Sequence, residues 1–268
     1  MTNSPHLSKQ DLFNKVPVVT LLFWLIKMMS TTVGETAADL LNYNLGFGLT
    51  NTSLAMAGLL VVALFFQMRA KRYVPSLYWL TVVMVSVFGT LVTDNLSDQF
   101  NVPLAVSTAA FSAALLATFV IWYRQEHTLS ITAIDTLQRE AYYWAAILFT
   151  FALGTAAGDW VAEGMQLGYT ISALLFAGLI VLTAVAHYVF KAGVVLSFWI
   201  VYILTRPFGA SCGDLLSQSH ANGGLGFGVV DTSIFFLVII VGLVVYLTIS
   251  GRDLVSEAHS PSQHSREK

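Results

Sequence analysis

The chain carries the stretch FWLIKMMSTTVGETAAD at residues 23–39, and three similar stretches follow it. They are YWLTVVMVSVFGTLVTD at 78–94, YWAAILFTFALGTAAGD at 143–159 and FWIVYILTRPFGASCGD at 198–214. All four follow the pattern [FY]-W-x9-G-x4-D, in which a glycine comes ten residues after the tryptophan and an aspartate fifteen residues after it. Self-similarity of this kind is the signature of a repeat architecture. The pattern therefore predicts four tandem units.

The composition is that of an all-α, polytopic membrane protein. Hydrophobic residues make up 56% of the 268 residues, charged residues only 10%, and the mean hydropathy is +0.71. Eight segments are long and apolar enough to cross a bilayer, where backbone groups are best satisfied within helices. They lie at 17–41, 51–68, 76–98, 103–123, 140–162, 170–190, 194–217 and 229–250. We therefore expect four helical hairpins, one for each unit.

The charges exclude some functions and indicate an orientation. A net charge of −2 leaves no basic surface for nucleic acid, and one cysteine, Cys212, excludes a disulfide framework. Eleven of the 13 Lys and Arg residues fall on one side of the predicted spans. Because positive loops favour the cytoplasm, both termini are predicted to be cytoplasmic. The predicted organisation is a cytoplasmic segment 1–16, a membrane domain 17–251 with units 17–68, 76–123, 138–190 and 194–250, and a disordered tail 252–268.

The segment VPVVTLLFWLIKMMSTTVGETAADLL, at residues 16–41, resembles the opening signature of a known family. That family comprises bacterial membrane proteins built from four tandem two-helix repeats with a characteristic tryptophan. It is catalogued as a repeat of unknown function, and its members are labelled as membrane-anchored proteins. The resemblance spans roughly residues 15 to 250 and implies a multi-pass protein of the bacterial inner membrane.

Acidic residues recur at equivalent places in the four units. Carboxylates at membrane depth are costly, so they are functional candidates that face a bundle interior or a cavity. Glu35 and Asp39, Asp94 and Asp98, and Asp159 and Glu163 are each four residues apart, while Asp214 has Gln218 in the companion position. We expect these side chains to form a ring. The candidate metal ligands are Asp39, Asp94, Asp159, Asp214, Glu35, Asp98 and Glu163.

Oxygen ligands suit a hard divalent cation, with manganese the best fit, whereas copper(I) and zinc prefer other ligands. The ring therefore predicts a permease for a small cation, with proton coupling as an option because protons compete for clustered carboxylates. No cofactor is expected beyond a bound divalent cation. The expected partners are the lipid bilayer and that cation, with a homo-oligomer left open. We expect no enzymatic activity, since four equivalent aspartates exceed the needs of a catalytic dyad.

Two cations inside the spans support a competing hypothesis. Lys27 and Arg206 each lie eight residues before an acid, Glu35 and Asp214 respectively. They are either counter-ions within a structural charge network or an inner gate that a cation must displace. The first option leads to the alternative function, a non-transporting scaffold or regulatory protein. Pro207 predicts a kink and a hinge in the seventh span.

Three further predictions concern packing. The tryptophans are expected to anchor the protein at the membrane interface. The repeated glycines are expected to allow close helix packing. The even-numbered spans, which carry few polar groups, are expected to form an outer layer that faces lipid.

Overall fold

The structure, a computed structural model, describes residues 14–253. This part of the chain folds into eight α-helices, all close to the predicted spans. They are α1 (Leu21–Asp39), α2 (Leu49–Arg69), α3 (Pro75–Asp94), α4 (Leu104–Glu126), α5 (Leu137–Asp159), α6 (Gly168–Tyr188), α7 (Val194–Ser217) and α8 (Val229–Ser250). Residues 1–13 and 254–268, which make up most of the two predicted terminal segments, lie outside the described residues. The all-α class and the four helical pairs are confirmed.

Local sequence signals account for several helix ends. Thr20 and Thr136 are N-caps whose hydroxyls accept hydrogen bonds from the backbone N–H groups of Phe23 and Arg139. Pro75 begins α3, where its missing N–H has no cost. The LGFG turn before α2 has φ values of 68° at Gly46 and 74° at Gly48, a region that side chains other than glycine rarely adopt.

Helix composition supports a multi-pass membrane protein. Within the described residues, seven helices are long and apolar enough to cross a membrane. The helix outside this set is α1, which carries Lys27, Glu35 and Asp39 and packs against α3, α7 and α8. A central helix can carry such charges because its neighbours shield it from lipid. The eighth crossing therefore stays a prediction.

The odd-numbered helices form a closed ring in which α1 packs on α3, α3 on α5, α5 on α7, and α7 on α1. The even-numbered helices lie outside this ring. Each of them packs mainly on the odd-numbered helix of the next unit: α2 on α3, α4 on α5 and α6 on α7, while α8 packs on α1. The two helices of one predicted hairpin are therefore not each other's main partners. This exchange of partners links each unit to the next.

Burial separates the two sets of helices. In the most apolar stretches of α2, α4, α6 and α8, only 17–22% of the residues are buried, against 56–67% in α3, α5 and α7. The exposed residues of the even-numbered helices are large hydrophobic ones, including Leu59, Leu116 and Val238. Such a surface is suited to lipid rather than to water. The predicted outer layer is confirmed.

The repeated glycines lie where neighbouring helices of the ring approach most closely. A Cβ built on each glycine would overlap the Cβ of a residue on the next helix. The separations would be 2.6 Å for Gly34 and Ser86, 2.8 Å for Gly89 and Phe151, 2.5 Å for Gly154 and Arg206, and 2.6 Å for Gly209 and Thr31. The last pair joins α7 to α1, so the same contact occurs four times around the ring. The predicted role in close packing is confirmed.

Residues four apart on the odd-numbered helices face the axis of the ring, since this spacing keeps side chains on one helical face. They form four layers of buried side chains, none more than 8% exposed. The aromatic layer is Phe23, Tyr78, Tyr143 and Phe198; the lysine layer is Lys27, Val82, Ile147 and Tyr202; the arginine layer is Thr31, Ser86, Phe151 and Arg206; the threonine layer is Glu35, Thr90, Thr155 and Ala210. The aspartate layer follows one turn later and consists of Asp39, Asp94, Asp159 and Asp214.

The tryptophans belong to the core of the bundle. Each ring of the aromatic layer contacts the tryptophan of the next helix. The centroid distances are 5.6 Å for Phe23 and Trp79, 5.6 Å for Tyr78 and Trp144, 6.2 Å for Tyr143 and Trp199, and 5.6 Å for Phe198 and Trp24. Trp79, Trp144 and Trp199 are at most 4% exposed. The prediction of an interfacial anchor is wrong for these three, because contacts between helices cover their rings.

The two ends of the described chain meet below the aromatic layer. The backbone N–H of Val18 donates to the carbonyl of Asp253 at 3.1 Å. Asp253, which was predicted to lie in the disordered tail, is buried and accepts a hydrogen bond from the Tyr73 hydroxyl at 2.5 Å. Lys15 forms a buried ion pair with Glu140 at 2.6 Å. The folded domain therefore extends beyond the predicted limits of 17 and 251.

Candidate functional site: an acidic cavity at the end of the ring

The seven predicted acids come together at one cavity. It has a volume of about 580 Å³ and lies where the odd-numbered helices end. Its lining includes all seven acids and their amide companion: Glu35, Asp39, Asp94, Asp98, Asp159, Glu163, Asp214 and Gln218. The predicted convergence of the four units is therefore present, while the role of these acids as ligands stays a prediction.

The acids lie at different depths. Glu35 is only 6% exposed and Asp214 only 8%, and both lie on the inner wall of the cavity. The other three members of the aspartate layer are half-buried. Asp98 and Glu163 are exposed at the mouth, where the Tyr169 hydroxyl donates to Glu163 at 2.9 Å. Glu35, Asp98 and Glu163 therefore lie at different depths in the cavity, although each is four residues from the aspartate of its unit.

A change of helix type places the outer acids. After the aspartate, the first three units continue as π-helical turns at Leu40–Asn44, Asn95–Gln99 and Trp160–Gly164. These turns carry Asp98 and Glu163 to the rim. In the fourth unit α7 ends at Ser217, so Gln218 follows in extended backbone. Short π-helical segments are common at functional sites.

Three acids have the geometry of a metal site. One carboxylate oxygen from each of Glu35, Asp159 and Asp214 can be chosen so that all three lie within 4.8 Å of one another. Hard divalent cations bind oxygen at about 2.0–2.6 Å, so two oxygens on one such ion are at most about 5 Å apart. The three carboxylates can therefore reach a single ion without rearrangement of the helices.

Within residues 14–253, the aspartate layer forms no ion pairs. Among the described residues, no Lys, Arg or His lies within ion-pair distance of Asp39, Asp94, Asp159 or Asp214. The hydroxyl of Ser217 also lines the cavity, and it is buried without a hydrogen-bond partner in the described part of the chain. Buried polar groups without partners are uncommon in proteins. The inner wall thus offers unused oxygen atoms to a cation.

Arg206 lies below the cavity, where it contacts Glu35 on the cavity floor. It is fully buried and donates to Glu35 at 3.0 Å, to Thr155 at 2.6 Å, to Thr90, and to the carbonyl of Thr31 at 3.2 Å. This network joins all four odd-numbered helices. Arg206 is thus a counter-ion for Glu35, which is one of the two roles that the sequence predicted for it. Thr90 and Thr155 occupy the same position of the repeat as Glu35. This equivalence is the sequence feature that could have identified them as partners of Arg206.

Lys27 lies deeper and contacts no acid within the described residues. Its ammonium donates to the carbonyl of Tyr202 at 2.9 Å and to the Thr205 hydroxyl at 2.6 Å. It also lies 4.1 Å from the centroid of the Tyr202 ring, a cation–π distance. Lys27 thus makes no direct ion pair with the acids within the described residues, since the arginine layer separates it from Glu35, and its two predicted roles, counter-ion or inner gate, stay predictions.

Comparison with known proteins supports the repeat and adds no function. A family model described as a repeat of unknown function (DUF347) matches four times, at residues 22–73, 77–128, 142–192 and 197–253. No curated protein and no solved structure gives a significant match. The four matches cover most of the chain and coincide with the four helical pairs of the structure. The chain therefore belongs to this family of repeats of unknown function.

Proposed function

We propose that the protein is a membrane permease for a small divalent cation, with manganese the best candidate, and that it has no enzymatic activity. The observation that supports this best is the convergence of four repeat-equivalent aspartates, none ion-paired among the described residues, on one cavity with Glu35. Negative charge concentrated in a partly enclosed site attracts cations strongly, because water screens it poorly there. Oxygen ligands further favour hard cations.

In the proposed orientation, the cavity opens away from the cytoplasm of a bacterial inner membrane. Apart from Lys27 and Arg206, the described basic residues lie at the opposite end of the bundle, many of them in or next to the loops that follow α2, α4 and α6. Such loops favour the cytoplasmic side. The conformation is therefore open to the outside and closed inside by the arginine, lysine and aromatic layers. Transport requires these layers to part, and Pro207 supplies a weak point in α7 beside Arg206.

The test measures Mn²⁺ binding by the purified protein and Mn²⁺ flux into proteoliposomes. Asp214→Asn and Asp159→Asn each remove a charge from the inner wall and should weaken binding at least about tenfold, which is about 1.4 kcal/mol. Asp231→Asn is the matched control, because Asp231 is exposed at the start of α8 and does not line the cavity. The proposal fails if the two inner-wall variants bind and carry Mn²⁺ as well as the control does.

The alternative function, a non-transporting scaffold or regulatory protein, draws support from the Arg206 network. Its hydrogen bonds join four helices and satisfy Glu35, which is how a structural ion pair is built. The same experiment separates the alternatives. A wild-type protein that is folded, neither binds Mn²⁺ nor carries it, and co-purifies with a stable partner would favour the scaffold.

A further inference from the structure

A second cavity lies at the other end of the ring. It has a volume of about 590 Å³ and is bounded by α1, α6, α7 and the loop between α4 and α5. Most of its lining residues are apolar, and they include Met28 on α1 as well as Thr205 on α7. It therefore lies beside α1 and α7 at the height of the lysine layer, while the acidic cavity extends to Glu35 of the threonine layer.

Lys27 lies between the two cavities. Its ammonium donates to the hydroxyl of Thr205, the residue that lines the second cavity. The next residue of α7, Arg206, donates to Glu35 on the floor of the acidic cavity. Two consecutive residues of one helix thus connect Lys27 to one cavity and the acids to the other. Pro207 follows directly, so a movement at this point of α7 would change both connections.

The surroundings of Lys27 leave its charge without a local counter-ion. The side chain is fully buried, and its described polar contacts are one carbonyl and one hydroxyl. From α7 it is faced by Tyr202 and by the positive charge of Arg206, and from α5 by the Phe151 ring at 5.1 Å. No described ion pair links it to a charged group of α3 or α8. A further positive charge in the acidic cavity would therefore disfavour the ammonium form.

We propose that Lys27 is the group that releases a proton when a divalent cation binds in the acidic cavity. This rests on the proposed function. While the acidic cavity is empty, Lys27 holds its proton. When a divalent cation binds in that cavity, its positive charge disfavours the ammonium, and Lys27 releases one proton towards the second cavity by way of Thr205. When the cation leaves, Lys27 takes up one proton again, so one proton is released for each divalent cation that is bound.

Arg206 is not suited to the same role, although it lies closer to the acids. Arginine remains protonated in proteins, whereas a buried lysine can exist in either form. Arg206 also holds four hydrogen-bond partners, which a neutral group would release. Arg206 is thus a permanent positive charge below the acidic cavity. Lys27, which lies deeper in the bundle, can lose its charge and regain it.

The experiment adds Mn²⁺ to purified protein in a weakly buffered solution with a pH-sensitive dye, at several pH values. Lys27→Arg keeps the positive charge and removes the exchangeable proton, so wild type should release about one proton more per bound Mn²⁺ than this variant. Protons released from the acids themselves are common to both proteins. Lys27→Met, which also lacks the exchangeable proton, is a second variant in case the arginine does not fit.

The matched control is Tyr202→Phe. It keeps the ring that faces the ammonium and the carbonyl that accepts from it, and it removes a hydroxyl without a partner among the described residues. Its proton release should equal that of wild type. Equal release from wild type and both Lys27 variants, with Mn²⁺ still bound, would overturn the role of Lys27 and leave the permease intact. Absence of Mn²⁺ binding in wild type would instead reject the permease, and this inference with it.

Discussion

Gly154 offers a direct test of the closed ring, because its contact with α7 also positions the floor of the cavity. A Cβ at this position would lie against Arg206 Cγ, 2.5 Å from Arg206 Cβ and 3.0 Å from Pro207 Cδ. Carbon atoms in ordinary contact are about 3.5–4.0 Å apart, so α5 and α7 must separate by roughly an ångström. Arg206 would then move away from Glu35. Gly154→Ala therefore strains both the helix interface and the charge network.

The expected cost of Gly154→Ala follows from two opposing terms. Overpacking of a tight interior costs about 1–3 kcal/mol, while alanine is better than glycine in a helix by up to about 1 kcal/mol. The net loss should be about 1–2 kcal/mol, which corresponds to a fall in Tm of about 2–8 °C for a chain of this size. Thermal unfolding in detergent measures it, and Mn²⁺ binding reports the displacement of Arg206.

Gly178→Ala is the matched control for this measurement. Gly178 lies in α6, and a Cβ added there would meet nothing within 4 Å. The substitution should therefore be neutral or stabilising by up to about 1 kcal/mol, since only the helix propensity changes. If Gly154→Ala proves as stable as Gly178→Ala, the close contact between α5 and α7 is incorrect, and so is the fourfold ring inferred from it.

Three further changes test the charges at both ends of the bundle. Glu140→Gln breaks the buried ion pair with Lys15 and should destabilise the protein by about 3–5 kcal/mol, measured by unfolding in detergent. Burial raises the pKa of Asp253 above its usual value of 3.8. The protonated form of Asp253 therefore stabilises the folded protein, and this stabilisation is lost as pH rises through the raised pKa. Wild type should lose stability relative to Asp253→Asn over that pH range. Arg206→Gln frees Glu35 from a charged hydrogen bond worth about 1.5–3 kcal/mol, so Mn²⁺ affinity should rise at least about tenfold in a binding titration.

Each of these predictions has its own control. Glu126→Gln breaks a more exposed ion pair with Arg139 and should cost no more than about 1 kcal/mol. A constant stability difference between wild type and Asp253→Asn at all pH values would contradict the second prediction. For the third, Lys27→Met removes a positive charge that does not contact Glu35, and it should raise affinity less than Arg206→Gln. An equal or smaller effect of Arg206→Gln would mean that Arg206 does not compete with the cation for Glu35.

The sequence alone was sufficient for the all-α class, the four units and the positions of the helices. These features depend on local information: runs of apolar residues set the helix lengths, and the spacing of Trp24, Gly34 and Asp39 recurs three more times. Because equivalent residues in tandem repeats occupy equivalent places, the convergence of the four aspartates could also be predicted. The same reasoning identified Glu35 and Arg206 as charges that must find a polar interior.

The choice of packing partners was decided only by the tertiary structure. Nothing in the apolar pattern states that α2 packs on α3 rather than on α1, or that Trp79 is covered by Phe23 instead of facing lipid. Nor does it distinguish Arg206, which reaches Glu35, from Lys27, which reaches Thr205. The spacing of residues along one helix determines which side chains share a face. Which face meets which depends on contacts between residues far apart in the sequence, such as Arg206 and Glu35, which are 171 positions apart, and these form only when the ring closes.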